Sequence, residues 1–239
     1  MPFSGAGDET LGTVMTSTSR SHRARKIIAL SAAGTVLAVG GITTLAAWND
    51  SEWVWGGASS GGDPIGSSEF NVQQNREQAP TAASPWTDHG SMTDAGLMVF
   101  SPDAMALTPG DTAYAPVALR TTATSIAGEV TLQGAVDNTN VTTNDPDNLL
   151  WDAVRYSVKV TEDATECSAA TWADFGDAVV TGATLATGAA DAQVLAAEAD
   201  NIQYYCFQIE LPEDAGGANQ NSLQGRTIAP AWEFAATSN

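Results

Sequence analysis

A charge-free apolar run near the N-terminus separates a leader segment from the part of this chain that we expect to fold into a domain. The run covers residues 27–47, IIALSAAGTVLAVGGITTLAA, and four basic residues lie just upstream, between positions 20 and 26. A basic segment, an apolar segment and small residues at its end are the three parts of an export signal. We therefore expect a signal helix here, with the folded protein beginning near residue 47.

Two other interpretations of this run are physically possible. At 1.5 Å per helical residue, a run of this length is enough to span a bilayer, so a retained membrane anchor is one alternative. A buried core helix is the other, although no amphipathic segment flanks the run. The small residues at its end, and the polar, acidic stretch that follows, favour a cleaved signal.

Three motifs, in order along the chain, resemble those of a known family of exported proteins. The first is the apolar helix followed at once by Trp48-Asn49-Asp50, and the second is LTPGD at residues 107–111, before an apolar strand. The third joins NQNSLQG at residues 219–225 to a strand that carries Ala236-Thr237. Together they are similar to the TasA/camelysin family of SipW-dependent proteins, which have an alternate-type signal peptide.

The resemblance implies where the signal ends and how the mature protein behaves. It places the cut between Ala46 and Ala47, so that residues 1–46 are leader and signal. A signal peptidase is then a partner during export, and the chain meets a membrane only before cleavage. The resemblance also implies a jelly-roll fold and polymerisation, in which the mature N-terminal segment completes the sheet of the next subunit.

The chain that remains after residue 46 is strongly acidic. It has five Lys or Arg and 26 Asp or Glu, a net charge of −21 over 193 residues. Nucleic acids and anionic membranes are bound through Lys and Arg, so this balance argues against both as partners. It favours solubility outside the cell, and we expect a secreted, extracellular protein of the cell-surface matrix.

Short apolar or alternating segments, separated by Gly, Pro, Asn and Asp turns, predict an all-β fold. The strands that we expect are residues 113–119, 128–135, 155–161, 202–211 and 227–235. Pro230 would confine the last of them to a sheet edge or a bulge. Two short helices are predicted, at residues 147–154 and 191–200. The pattern indicates an antiparallel β-sandwich of the jelly-roll type over residues 76–239.

The two cysteines, Cys167 and Cys206, both lie in the part expected outside the cell. An even number of cysteines in that compartment favours a disulfide. The bond would close a loop of about 40 residues and stabilise the fold by roughly 4 kcal/mol through the entropy of the unfolded chain. Two buried free thiols are the alternative. The sequence has no Cys-x-x-Cys pair or neighbouring histidine to support a redox or metal role.

The residues do not assemble into a hydrolytic site. Camelysin-like proteins are classed as metallopeptidases, and a zinc peptidase of the His-Glu-x-x-His type needs two histidines one helical turn apart. After residue 46 there is one histidine, His89, which we interpret as a solvent-exposed loop residue. We expect no enzymatic activity, no cofactor and no metal site.

The loop at residues 137–148 is a second place where a metal ion could be considered. It is rich in the oxygen ligands that Ca²⁺ accepts, but it lacks the regular Asp-x-Asp-x-Asp-Gly spacing and the bidentate Glu of a defined calcium loop. Hydrogen-bonded turns of Asp and Asn explain these residues as well. We therefore interpret the loop as a set of turns, with calcium binding as the alternative.

Tryptophans crowd the expected mature N-terminus. We expect residues 47–75 to form a flexible arm that contains Trp48, Asn49, Asp50, Trp53 and Trp55. Closely spaced, exposed tryptophans on a mobile arm are a liability for a free monomer. The arm can pack on its own domain, insert as an added strand into a neighbouring subunit, or offer its rings to sugars.

We predict a secreted structural subunit of extracellular matrix, biofilm or surface fibres. It would assemble with itself by strand exchange through the arm, and the head-to-tail form of that contact builds open filaments rather than closed rings. Two other functions stay open. One is a secreted metallopeptidase of the camelysin kind, and the other is a monomeric adhesin or carbohydrate-binding module.

Overall fold

Ten β-strands and one short α-helix make up the regular structure of residues 67–239, the part of the chain that the computed structural model describes. The strands are β1 Val72–Asn75, β2 Thr112–Thr121, β3 Gly128–Leu132, β4 Val136–Asp137, β5 Arg155–Thr161, β6 Asp177–Thr184, β7 Gln193–Leu195, β8 Gln203–Glu210, β9 Pro230–Ala231 and β10 Phe234–Ser238. The helix α1 is Leu149–Ala153, and 3₁₀ turns occur at Met92–Asp94, Ala104–Ala106, Trp172–Asp174, Ala197–Ala199 and Gly217–Leu223.

The strands form antiparallel sheets, which confirms the all-β prediction. The largest sheet has five strands in the order β1-β2-β8-β5-β6. A three-stranded sheet has the order β10-β3-β7, and β4 pairs with β9 alone. None of the helices in this part of the chain has the length and apolarity that a membrane crossing requires.

The two best-predicted strands show how sequence pattern becomes burial. β5 alternates, with Tyr156, Val158 and Val160 buried and the residues between them only partly covered. β8 lies between β2 and β5 and is apolar on both faces, because Tyr205 and Phe207 enter one core while its alternate residues enter another. A strand that is covered on both faces has a continuous apolar sequence rather than an alternating one.

The larger core is shared by the two larger sheets. Its buried residues include Val130 and Leu132 of β3 as well as the inward side chains of β2, β5 and β8. The ring of Phe234 in β10 lies 4.9 Å from that of Tyr205 and 6.2 Å from that of Phe207, measured between centroids. The smaller core lies on the other face of the five-stranded sheet, around Phe175 and the two cysteines.

The helix predicted at residues 191–200 is wrong. The segment forms β7 and a 3₁₀ turn, in which Glu198 and Ala199 have positive φ values of 58° and 59°. Its N–H groups are used by distant partners: Ala199 N donates to Thr121 Oγ1 at 2.9 Å and Glu198 N to the Ser125 carbonyl at 2.9 Å. Tertiary hydrogen bonds thus replace those that a helix would make within itself.

The last predicted strand, residues 227–235, is interrupted. Thr227 makes an isolated bridge to Asn144, β9 contains only Pro230–Ala231, and β10 begins at Phe234. Proline has no backbone N–H to donate to a ladder, which explains the short pairing at this point. The helix predicted at residues 147–154 is confirmed as α1.

Candidate functional site

The disulfide predicted from the sequence is present. Cys167 and Cys206 are bonded, with their Cα atoms 5.2 Å apart, and no cysteine is free. The two residues are 3% and 0% exposed, inside the smaller core. The bond joins the loop after β5 to the central strand of the five-stranded sheet, and the alternative of two free thiols is wrong.

The predicted arm meets the folded part of the chain at a sheet edge. Its last four residues are β1, which pairs with β2 so that Val72 lies opposite Thr121 and Asn75 opposite Ala118. Residues 72–75 are therefore part of the sheet. The predicted cleavage point and the other arm residues lie outside the described residues: Ala46, Ala47, Trp48, Asn49, Asp50, Trp53 and Trp55.

The chain is held firmly just after β1. Asn75 is 4% exposed, and its side chain donates to the Pro85 carbonyl at 2.8 Å and accepts from Glu77 N at 2.7 Å. The amide of Gln78 accepts from Cys167 N at 2.8 Å and donates to the Cys167 carbonyl at 3.1 Å. The sequence gives no signal for this contact, because 89 residues separate the two partners.

Two short segments share the outer edge of β2. β1 covers its C-terminal end, and near its N-terminal end Ser101 exchanges two backbone hydrogen bonds with Tyr114, of 2.8 and 2.9 Å. Pro116 lies between these points and has no N–H to offer an edge partner. The outer side of β1 is itself covered, because Gln74 exchanges bonds of 2.8 and 3.0 Å with Thr87.

The LTPGD motif forms the turn that leads into β2. Thr108 donates to Asp111 Oδ2 from both its backbone N and its Oγ1, each at 2.7 Å, and Asp111 N donates back to the Thr108 carbonyl at 2.9 Å. The Thr108 hydroxyl and N–H hold the pKa of Asp111 below its ordinary value. Gly110 has a φ of 96°, a left-handed conformation that favours glycine.

His89 is more enclosed than predicted. Its side chain is 16% exposed, and Nε2 lies 3.0 Å from Arg76 Nη1 and 3.0 Å from Thr87 Oγ1. Guanidinium groups only donate, so Nε2 accepts from Arg76 and Nδ1 donates to the Asp94 carbonyl at 2.6 Å. The interpretation as a solvent-exposed residue is wrong, because both ring nitrogens already have partners.

The acidic loop at residues 137–148 is organised by Asp145. Its carboxylate is 5% exposed and accepts from Leu150 N and Trp151 N, at 3.0 and 2.9 Å, and from Arg226 Nη1 at 2.6 Å. Burial opposes ionisation of this group. The Trp151 and Leu150 N–H groups and the Arg226 guanidinium outweigh burial and hold the pKa of Asp145 below its ordinary value.

A small pocket of about 210 Å³ lies beside this loop. Its lining is Asp137, Thr143, Asp145, Asn148, Trp151 and Ile228. The oxygens of Asp145 already accept hydrogen bonds from the first turn of α1 and from Arg226, so their role at this point is structural. Within residues 67–239, no three His, Cys, Asp or Glu side chains are grouped so as to hold a metal ion.

The edge of β2 thus remains the candidate functional site, since it joins the predicted arm to the largest sheet. The segment beside it, LMVF at residues 97–100, is absent from the strands predicted above, although a short apolar run between turn residues is a signal for a strand. No protein-family model matches this chain, and no curated protein matches it.

Proposed function

We propose that this protein is a structural subunit of extracellular fibres or matrix, and that it assembles by adding its N-terminal arm as a strand to another copy. The observation that carries the proposal is the position of β1. It is an edge strand of the largest sheet, and it forms the C-terminal end of the arm. A chain that leaves a sheet at its edge is well placed to continue into a neighbouring sheet.

We further infer that the two larger sheets form a β-sandwich of the jelly-roll type, as the resemblance to the TasA/camelysin family implies. The shared core around Phe234, Tyr205 and Phe207 supports this, since it is lined from both sheets. A domain of this kind presents several sheet edges, and edges are the surfaces on which strands from other chains add.

Secretion is part of the same proposal. The Cys167–Cys206 bond is of the type that persists in oxidising compartments and is rare in the cytosol. The strongly acidic composition suits an environment rich in salt or divalent cations. Both observations agree with the export signal predicted upstream of Ala47.

The proposal is tested by comparing three purified chains. The first begins at Ala47, the second begins at Ser67 and so keeps β1, and the third begins at Ala47 with Trp53→Ser and Trp55→Ser. We expect filaments from the first, by light scattering and electron microscopy, and monomers from the second. The third controls for arm length and is expected to assemble poorly. Identical behaviour of the first two chains rules out assembly through the arm.

A further inference from the structure

Five consecutive residues next to β2 have no backbone hydrogen bond. Ala95 N bonds to the Met92 carbonyl, and Ser101 bonds to Tyr114, but the N–H and C=O groups between them have no partner within residues 67–239. We name Gly96–Phe100 the open segment. Free backbone groups at a sheet edge are a ready template for another strand.

The side chains of the open segment alternate as they do in a strand. Met98 and Phe100 pack against the larger core. Leu97 and Val99 are 77% and 69% exposed. Successive side chains of an extended chain point to opposite faces, so Leu97 and Val99 form an apolar pair on one face of the edge. Both the backbone and one side-chain face are thus without a partner.

The pairing of Ser101 sets the direction of the free groups. Because Ser101 directs both its N–H and its C=O at Tyr114, an extended chain directs those of Phe100 and Met98 away from β2. β1 differs in this respect, since Thr87 already covers its outer side. Of the two segments beside β2, the open segment is therefore the one that can accept a strand.

Charge decides between two occupants for the open segment. Two open segments from different copies, paired antiparallel, would bring Asp94 of each close to Asp103 of the other, and like charges placed opposite each other destabilise a strand pair. Residues 53–62, WVWGGASSGG, are instead free of charge over ten positions, although Asp50 and Glu52 precede them. Paired antiparallel with Trp55 opposite Leu97, this run would place uncharged residues beside Asp94 and leave like charges at the Asp103 end alone. They lie in the arm, ahead of the described residues.

We propose that the open segment is the acceptor for residues 53–55 of a second copy, and this rests on the proposed function. Trp53 and Trp55 are two residues apart, the spacing that places both on one strand face. That face would meet Leu97 and Val99, and cross-strand pairs between aromatic and aliphatic side chains stabilise sheets. In an antiparallel pairing with Trp55 opposite Leu97 and Trp53 opposite Val99, Val54 would exchange both backbone hydrogen bonds with Met98.

The first test changes the acceptor in the chain that begins at Ala47. Leu97→Asp with Val99→Asp should abolish filaments. The matched control is Val136→Asp with Val194→Asp, which adds the same charge at positions that are 55% and 54% exposed, and it should still assemble. Filaments from the Leu97/Val99 variant at the wild-type level would overturn the acceptor assignment and leave assembly through the arm intact.

The second test mixes two chains that are each expected to be monomeric. One is the Leu97→Asp, Val99→Asp chain with its arm intact. The other begins at Ser67 and has an intact open segment, and residues 67–239 contain all the sheets, cores and the disulfide described above. Light scattering coupled to size exclusion should show a one-to-one complex. Continued separation of the two chains contradicts the proposal.

A peptide separates failure of this inference from failure of the proposed function. A labelled peptide of residues 47–62 should bind the chain that begins at Ser67, and Leu97→Asp with Val99→Asp should weaken it by about tenfold or more. Equal binding to both, or none to either, overturns the acceptor. If the peptide binds selectively but the chain that begins at Ala47 is monomeric, the arm occupies the open segment of its own chain. That result would overturn the proposal that the arm comes from a second copy.

Discussion

At the scale of residues, four of the five Lys and Arg side chains in residues 67–239 donate to backbone carbonyls. Arg155 Nη1 donates to the carbonyls of Asp152, Ala153 and Val154, at 2.7, 3.2 and 3.0 Å, where α1 ends. Lys159 Nζ donates to the Trp172 carbonyl at 2.7 Å. Cations at a helix C-terminus satisfy carbonyls that have no partner within the helix.

Arg226 donates to the Ser222 carbonyl and also forms ion pairs, which allow a mutational test. It pairs with Asp145 at 2.6 Å and lies 3.7 Å from Asp147, whose side chain is 72% exposed. Asp145→Ala should cost about 2–4 kcal/mol of unfolding free energy, because it leaves Arg226 and two helix N–H groups without their partner. Asp147→Ala is the matched control and should cost less than about 0.5 kcal/mol.

Urea denaturation followed by tryptophan fluorescence measures both changes. Equal losses in the two variants would contradict the role given to Asp145.

The same carboxylate makes stability depend on pH. Its pKa is lower in the folded chain than the ordinary value of 3.8, so its contribution is complete above that value and is lost as the pH falls through the folded pKa. The stability difference between wild type and Asp145→Asn should therefore be smaller at about pH 2.5 than at pH 7. A difference that does not change with pH would contradict this assignment.

At the scale of elements, the disulfide fixes the loop after β5 to the centre of the five-stranded sheet. Its partners are 39 residues apart, and closing a loop of that size stabilises a fold by roughly 4 kcal/mol. We expect Cys167→Ala with Cys206→Ala to lower the free energy of unfolding by about that amount. Reduction and alkylation of the wild type should give a similar loss, and a loss below about 1 kcal/mol would contradict this.

A helix or strand can be predicted from the sequence when local residues determine it, and less well when its hydrogen-bond partners are distant in sequence. β5 and β8 are predictable because burial on one face, or on both, determines their pattern of apolar residues. Residues 191–200 mislead, because the hydrogen bonds to Thr121 and Ser125 that prevent a helix come from distant parts of the chain. Local propensity gives way to such tertiary contacts.

The candidate site follows the same division. The cysteine pair is predictable from the even number of cysteines and the compartment expected from the sequence, and the apolar pattern of residues 97–100 is visible in the sequence. The unpaired outer side of that segment is not visible in the sequence. It depends on the pairing of Ser101 with Tyr114 and on the position of Pro116 within β2. Pairing between strands far apart in sequence is not encoded in any local pattern.

At the scale of the whole molecule, charge is the dominant surface property. Residues 67–239 contain 23 Asp or Glu and five Lys or Arg, and Arg226 is the one Lys or Arg among them that is ion-paired with a carboxylate. Most of the negative charge therefore has no balancing cation within this part of the fold. Like charges on one compact body destabilise it through mutual repulsion.

Salt should therefore raise the melting temperature. Screening shortens from about 30 Å at 0.01 M to about 8 Å at 0.15 M ionic strength, and each kcal/mol of relieved repulsion is worth about 2–4 °C for a chain of this size. Differential scanning fluorimetry of the chain that begins at Ser67 measures the shift. NaCl and CaCl₂ at matched ionic strength separate screening from cation binding, and an unchanged or falling melting temperature contradicts the expectation.

The partial burial of the Lys and Arg side chains has a consequence for resistance to proteases. Proteases of the trypsin type cleave after a basic residue that must enter a deep pocket of the enzyme. All five basic side chains in residues 67–239 are partly covered, and each has a hydrogen-bonding partner in the fold. Digestion by such enzymes then has to wait for local unfolding. The contacts that hold these five side chains thus also withhold the tryptic sites of residues 67–239 from attack.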